Sequence, residues 1–360
     1  METSLFLKYI QKFFTGIVVA IVTKLNDTKA PLVYYHKRFL KPDFSVDGKW
    51  ESISAANTMV MADVVAMDSS LPLKKRDSIS KASGDIPKMG MELKLNEKQL
   101  TDLDTLALRP NTETQLISKL FADTPKVIGG VYERNEAIFL EALSTGLCIV
   151  DDSENVGTGI RIDFGFLTAN KFGVTTVWSN TASTPIDDLE RAQTRAKNTG
   201  VRIAKFLMDR TAFNNLVKTT QVKEMVAFSL GFVGSAIPAP DLDQVNKSLQ
   251  AKYAYVIEII DRSVRYEKNG VQTTQTPWSD GAVVGITSEN LGLLQWATLA
   301  EANHPVANVT YETADQYILV SKYRVNKPSL SEVTSSQARV VPVLTNTDQI
   351  FLIDSKTVQA

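Results

Sequence analysis

Residues 58–95 constrain the fold more than any other stretch of the chain. Met59-Val60-Met61-Ala62-Asp63-Val64-Val65 is rich in strand formers, and Met89-Gly90-Met91-Glu92-Leu93-Lys94-Leu95 alternates apolar and polar positions. Between them lies the polar run Lys74-Lys75-Arg76-Asp77. The pattern predicts a long β-hairpin whose tip, residues 74–84, carries too few apolar side chains to sit in a core. Such a hairpin projects, and because an isolated hairpin is marginally stable it needs a partner surface.

The remaining composition narrows what that partner is. The 360 residues include 39 Lys+Arg and 40 Asp+Glu, a net charge of −1, which excludes DNA affinity driven by bulk charge. With 44% hydrophobic and 22% charged residues the chain is ordinary globular material, long enough for more than one core. One cysteine, Cys148, forms no intramolecular disulfide, and two histidines, His36 and His304, are too few for the usual Cys/His metal cages. A reducing compartment and no structural zinc are expected. The shortage of His also removes the commonest general base.

At the amino end, the apolar run over residues 13–22 is too short to span a bilayer, and no clean cleavage site follows it. It reads as an amphipathic segment packed against the body of the protein or a neighbouring copy. Residues 27–50 read as an extended, irregular arm, because Pro31 and Pro42 interrupt helix and Val33-Tyr34-Tyr35 favours strand. The strongest helical spacing lies over residues 112–147. Pro125 divides it, Gly146 is its stop, and residues 126–147 form a helix about 33 Å long. Thr184 as N-cap, Pro185, Asp187-Asp188, Lys197 and Gly200 outline a second helix, followed by a strand over 204–208 and a short helix over 212–217. Later segments are β-rich, including 253–260, a turn at Asn269-Gly270, 283–286, 317–322, 339–344 and 350–353. Helices and strands mix without regular βαβ alternation, so the fold class is α+β.

No motif carries chemistry. There is no phosphate loop, GxSxG elbow or HExxH, and Gly157-Thr158-Gly159 lacks the third glycine of a dinucleotide fingerprint. Asp151-Asp152 and Asp241-Leu242-Asp243 read as solvated turns, without the further oxygen ligands of a calcium site. Cys148 reads as a small buried hydrophobe, and neither His36 nor His304 has a partner at informative spacing. Catalytic, cofactor-binding and metal-binding residues are expected to be absent.

The order of segments resembles the lambda-like capsid E family of tailed-bacteriophage major capsid proteins. The run Ala62-Asp63-Val64-Val65-Ala66, Leu71-Pro72-Leu73-Lys74 and Ser83-Gly84-Asp85-Ile86-Pro87-Lys88 is similar to the family's extended loop. Leu93-Lys94-Leu95-Asn96-Glu97-Lys98-Gln99-Leu100 follows it as in the family. Pro185-Ile186-Asp187-Asp188-Leu189 and Phe206-Leu207-Met208-Asp209-Arg210-Thr211-Ala212-Phe213 resemble the helix, strand and helix of its axial domain. Tyr266-Glu267-Lys268-Asn269-Gly270, Trp278-Ser279-Asp280-Gly281-Ala282-Val283-Val284 and Leu291-Gly292 look like its strand-turn-strand segment, and Ala338-Arg339-Val340-Val341-Pro342-Val343-Leu344 like its returning strand. The likeness runs from about residue 50 to the C-terminus; the apolar segment 13–22 has no counterpart in it.

This resemblance implies a non-enzymatic structural subunit of the virion, assembled in the host bacterial cytoplasm. Its expected parts are an N-terminal arm (1–49), an extended loop (50–100), a peripheral domain with a spine helix (101–182), an axial domain (183–310) and a return to the peripheral domain (311–360). It implies no membrane and partners of three kinds: other copies in hexamers and pentamers of an icosahedral shell, portal and scaffolding or decoration proteins, and packaged double-stranded DNA bound without sequence specificity. Lys74, Lys75 and Arg76 are then expected to form intersubunit ion pairs, and the loop carrying Ser235, Pro238 and Pro240 to face the hexamer and pentamer centres. The competing readings are an encapsulin-type compartment, which shares the fold, and an α+β enzyme using carboxylates.

Overall fold

The computed structural model describes residues 2–27, 34–55, 79–151, 155, 159–231 and 237–359. Two sheets organise them. A six-stranded sheet joins Leu40–Phe44, Gly292–Ala297, Ser331–Leu344, Ile318–Val325 and Thr310–Ala314, with Lys88–Leu95 also paired to Ser331–Leu344. A five-stranded sheet runs Lys171–Val174, Ile350–Val358, Ala282–Ile286, Lys205–Asp209, Val256–Ile260.

The second sheet is buried on both faces, and its side chains sort by the two-residue period of a strand. Leu207, Val284, Ile286 and Ile350 point into one core, which includes the six-stranded sheet and the helix Thr124–Thr145. Phe206, Met208, Val283, Phe351 and Ile353 point into a second core, closed by the helices Pro185–Asn198, Arg210–Lys218, Thr220–Leu230 and Leu242–Tyr253. One sheet thereby welds the two halves of the chain.

The long helix Thr124–Thr145 is 22 residues, about 33 Å, with Pro125 in its first turn and Gly146 as left-handed C-cap at φ 82°. The preceding helix, Glu113–Leu120, stops before Pro125 is reached. On the second capped helix, Thr184 makes no side-chain cap; the Ile186 N–H instead donates to Gln221 Oε1 at 2.9 Å, so a neighbouring helix replaces the expected cap.

Four expectations need correction. Within the expected irregular arm 27–50, the described stretch 34–50 is ordered instead: Tyr35–Phe39 is helical and Leu40–Phe44 runs parallel to Gly292–Ala297 at the sheet edge, where Pro42 is tolerated because one side of the strand needs no donor. The expected hairpin is built differently: among the described residues Lys49–Ala55 pairs antiparallel with Ile79–Asp85, with Trp50 opposite Gly84, so Gly84 lies in a strand and not at a tip. Met89 to Leu95 is not its second arm. That strand pairs with Ser331–Leu344, because its alternation specifies a half-buried strand and leaves the partner open. The first expected arm, 59–65, lies outside the described residues. Asp241 is no solvated turn residue but the N-cap of Leu242–Tyr253, in a capping box with Gln244.

The apolar run 13–22 belongs to an amphipathic helix, Leu7–Leu25, that buries Ile10, Phe14 and Val18 against the body. No described helix is long and apolar enough to cross a membrane.

Candidate functional site

The candidate surface is built around the long helix. Its inner stripe, Val127, Ile128, Val131, Ile138, Phe139 and Leu143, is fully or almost fully buried. Its outer stripe of Lys126, Gly129, Gly130, Glu133, Arg134 and Ala137 floors a groove of about 1220 Å³. The base of the long hairpin (Trp50, Gly84, Asp85) and the strand Val264–Lys268 also line it. Gly129 has open space where a side chain would stand, and a side chain at Gly130 would meet Met91, so the small residues keep the floor shallow.

The middle of the helix holds the segment that follows the amino-terminal helix. Tyr35–Phe39, five residues long, is too short to hold itself as a helix. The buried Glu136 carboxylate accepts its first two N–H groups, from Tyr35 at 2.9 Å and His36 at 3.0 Å, and lies 2.6 Å from His36 Nδ1. His36 therefore has a partner a hundred positions away, which local spacing could not reveal. Tyr34 donates to Glu133 at 2.9 Å; burial and the Glu133 charge push its hydroxyl well above the usual tyrosine range. Arg38 bridges Glu258 and Glu289, and Lys205 reaches the same two carboxylates at 2.8 and 2.6 Å. Hydrogen bonds from Arg38 and Lys205 bring the Glu289 carboxyl down to about 2.

A third ionic group lies beneath the amino terminus. Lys322 is buried and donates to Leu120 O at 3.0 Å and Thr334 Oγ1 at 2.7 Å; burial lowers its ammonium to about 8. The buried Glu332 carboxyl is raised by desolvation, against the opposing pull of Ser4, Lys322 and the Leu5 backbone.

These ionic groups serve structure. Among the described residues no cluster of His, Cys, Asp or Glu could hold a metal ion. Cys148 is buried, as expected, and His304 is exposed. Lys74, Lys75, Arg76 and Ser235 lie outside the described residues; of the loop that follows, Pro238 is exposed and Pro240 buried. The residue that spacing missed is Phe228. It stands 90% exposed on Thr220–Leu230, off the stripe of Val222 and Val226 that faces the second core, and that offset is the signal that could have found it.

Among the described residues the outward features are a groove along the long helix and the exposed Phe228, with no cluster of metal-ligating side chains. Residues 53–351 match the model of the family described as phage major capsid protein E, and the chain belongs to that family: it is a structural capsid protein. Solved structures share the fold. A prophage protein of E. coli CFT073 described as its capsid protein superposes with TM-score 0.59 at 11% identity, covering 94% of this chain and 98% of that one. A phage-related protein of Bordetella bronchiseptica RB50 gives 0.53 at 12% identity, covering 94% and 96%. No curated protein sequence matches. The fold is thus the tailed-phage major capsid fold, α+β as expected.

Proposed function

We propose that copies of this chain assemble as hexamers and pentamers into an icosahedral shell enclosing double-stranded DNA, held without sequence specificity. The observation that carries the reading is membership of the capsid family over residues 53–351, joined to the antiparallel pair Lys49–Ala55 and Ile79–Asp85 at the base of the expected extended loop. In this reading residues 1–49 are the N-terminal arm, 50–100 the extended loop and 101–182 the peripheral domain, with Thr124–Thr145 as spine helix. Residues 183–310 are the axial domain, and 311–360 return to the peripheral part. The hairpin lies over the groove of an adjacent subunit, with Lys74, Lys75 and Arg76 at its tip pairing with that neighbour's carboxylates. Ser235, Pro238 and Pro240, together with Phe228, face the centre of each hexamer or pentamer.

The subunit works by contact alone, with no reaction, and assembles in the bacterial cytoplasm with portal and scaffolding or decoration proteins. Near-neutral charge suits this role, because many copies can pack without large mutual repulsion. Electron microscopy of the purified full-length chain, alone and with the other head proteins encoded beside it, is expected to show uniform shells tens of nanometres wide. Small oligomers alone in both preparations would reject the reading.

A further inference from the structure

A second hairpin, Val264–Lys268 and Val271–Gln275, has an outer strand that no reading above uses. It forms a two-stranded sheet of its own, turning at Asn269 and Gly270 with φ of 52° and 76°, the left-handed pair of a tight two-residue hairpin. Its first strand and Gln275 at the end of the second line the groove of the long helix, while Val271 to Thr274 lie outside it. Val271 is 65% exposed, and Gln272, Thr273 and Thr274 are exposed as well. Its first strand packs against the long helix, while the outer strand pairs with no further strand among the described residues and gains little support there.

The outer strand is also undefended. Edges of soluble proteins are normally blunted by charge or proline, yet Val271-Gln272-Thr273-Thr274-Gln275 has neither. In a two-residue hairpin the residues flanking the turn, Lys268 and Val271, exchange hydrogen bonds, and so do Tyr266 and Thr273. The alternate residues, Gln272 and Thr274, therefore direct their N–H and C=O groups outward.

That edge is self-complementary. Laid antiparallel on itself about Thr273, it sets Gln272 opposite Thr274 of a second copy, the two residues whose backbone groups point out, and both such pairs form at once. Rows across the resulting four strands read Arg265, Thr274, then Gln272 and Glu267 of the second copy, so a cation begins each row and an anion ends it. Thr273 meets Thr273 on the axis, a favourable cross-strand pair. We propose that this hairpin is a two-fold contact in which Val271–Gln275 pairs with the same strand of a second copy. The inference rests on the assembly reading for its setting, while its geometry is that of the subunit alone.

Disulfide trapping tests it. Thr273→Cys would face its own copy as a non-hydrogen-bonded pair about 4.5 Å apart between Cα atoms, within disulfide range. Val271→Cys would lie four residues out of register with its counterpart, about 13 Å away. Both variants, with the parent chain as control for buried Cys148, are mildly oxidised as sedimented particles and as concentrated unassembled protein. Several-fold more covalent dimer from T273C than from V271C in either preparation is the expected result, reduced when Thr274→Pro is added. No dimer from T273C in either preparation, or equal dimer from V271C, overturns the contact. Microscopy reads shell formation separately: shells without T273C dimer sink this contact and spare the assembly reading, whereas dimer without shells does the reverse.

Discussion

His36 Nδ1 lies 2.6 Å from Glu136 Oε2 with both side chains fully buried, and the same carboxylate holds the Tyr35 and His36 N–H groups. One side chain of the long helix thus fastens the segment leading from the amino terminus. Glu136→Ala would strand two backbone donors and an imidazole in the interior, a loss of about 3–5 kcal/mol. Glu136→Gln keeps one acceptor and should cost less. Urea unfolding of the unassembled subunit measures both; equal midpoints for E136A and the parent would refute the lock.

The locally encoded parts of this fold were legible in sequence: Gly146 ends the long helix because only a left-handed residue closes it there, and Asn269-Gly270 announces its hairpin. Partnerships were not. Alternation over Met89 to Leu95 predicts a strand and is silent on its pairing with Ser331–Leu344, some 240 residues on, because register is settled by the whole core. Arg38 and Glu258 likewise meet across 220 positions. Leu242–Tyr253 escaped notice because Val245 and Leu249 are its only buried large apolar residues, although Asp241 and Gln244 carry a capping signature. The proposed contact residues Lys74, Lys75 and Arg76 rest on the resemblance and the polarity of their run, not on any chemistry motif.

The cluster of Arg38, Lys205, Glu258 and Glu289 should make stability pH-dependent on the acid side. Glu289 titrates at about 2 when folded and near the ordinary glutamate value when unfolded, so the unfolded chain binds the proton first as pH falls. Its contribution is complete above about pH 5 and is lost on the way down to 2. Glu289 is more than half exposed, so solvent screening holds the effect of Arg38→Gln to the order of 1 kcal/mol at pH 7. The gap between R38Q and parent midpoints should narrow by pH 3 and in high salt. A gap unchanged by either condition would show that Arg38 acts through packing instead.

Lys322 and Glu332 form the costlier arrangement, two buried charges under the amino-terminal segment. Lys322→Met removes the cation that offsets Glu332 and frees the Leu120 carbonyl at a helix C-terminus, so about 3 kcal/mol should be lost. Adding Glu332→Gln removes the stranded charge, and the double variant should recover much of that loss. Because the Lys322 ammonium is lowered to about 8, the parent should gain stability from this group as pH rises from 8 towards 10.4, and K322M should not. Additive costs in the double variant, with no difference in alkaline slope, would separate the two residues.

The tip cluster provides the test of how shells are held. Replacing Lys74, Lys75 and Arg76 with Glu changes charge on a segment with few apolar residues, so the unfolding midpoint of the isolated subunit should stay within about 0.5 kcal/mol of the parent. If these residues pair with a neighbour's carboxylates, reversal turns attraction into repulsion at every copy of the contact, and many repeats of a small penalty prevent closure. Conservative exchange among Lys and Arg should leave assembly intact, and parent shells should loosen at high salt, where exposed ion pairs are screened beyond about 3 Å. Normal shells from the reversed triple variant would place the hairpin's adhesion in its backbone and apolar contacts, and remove charge from the account.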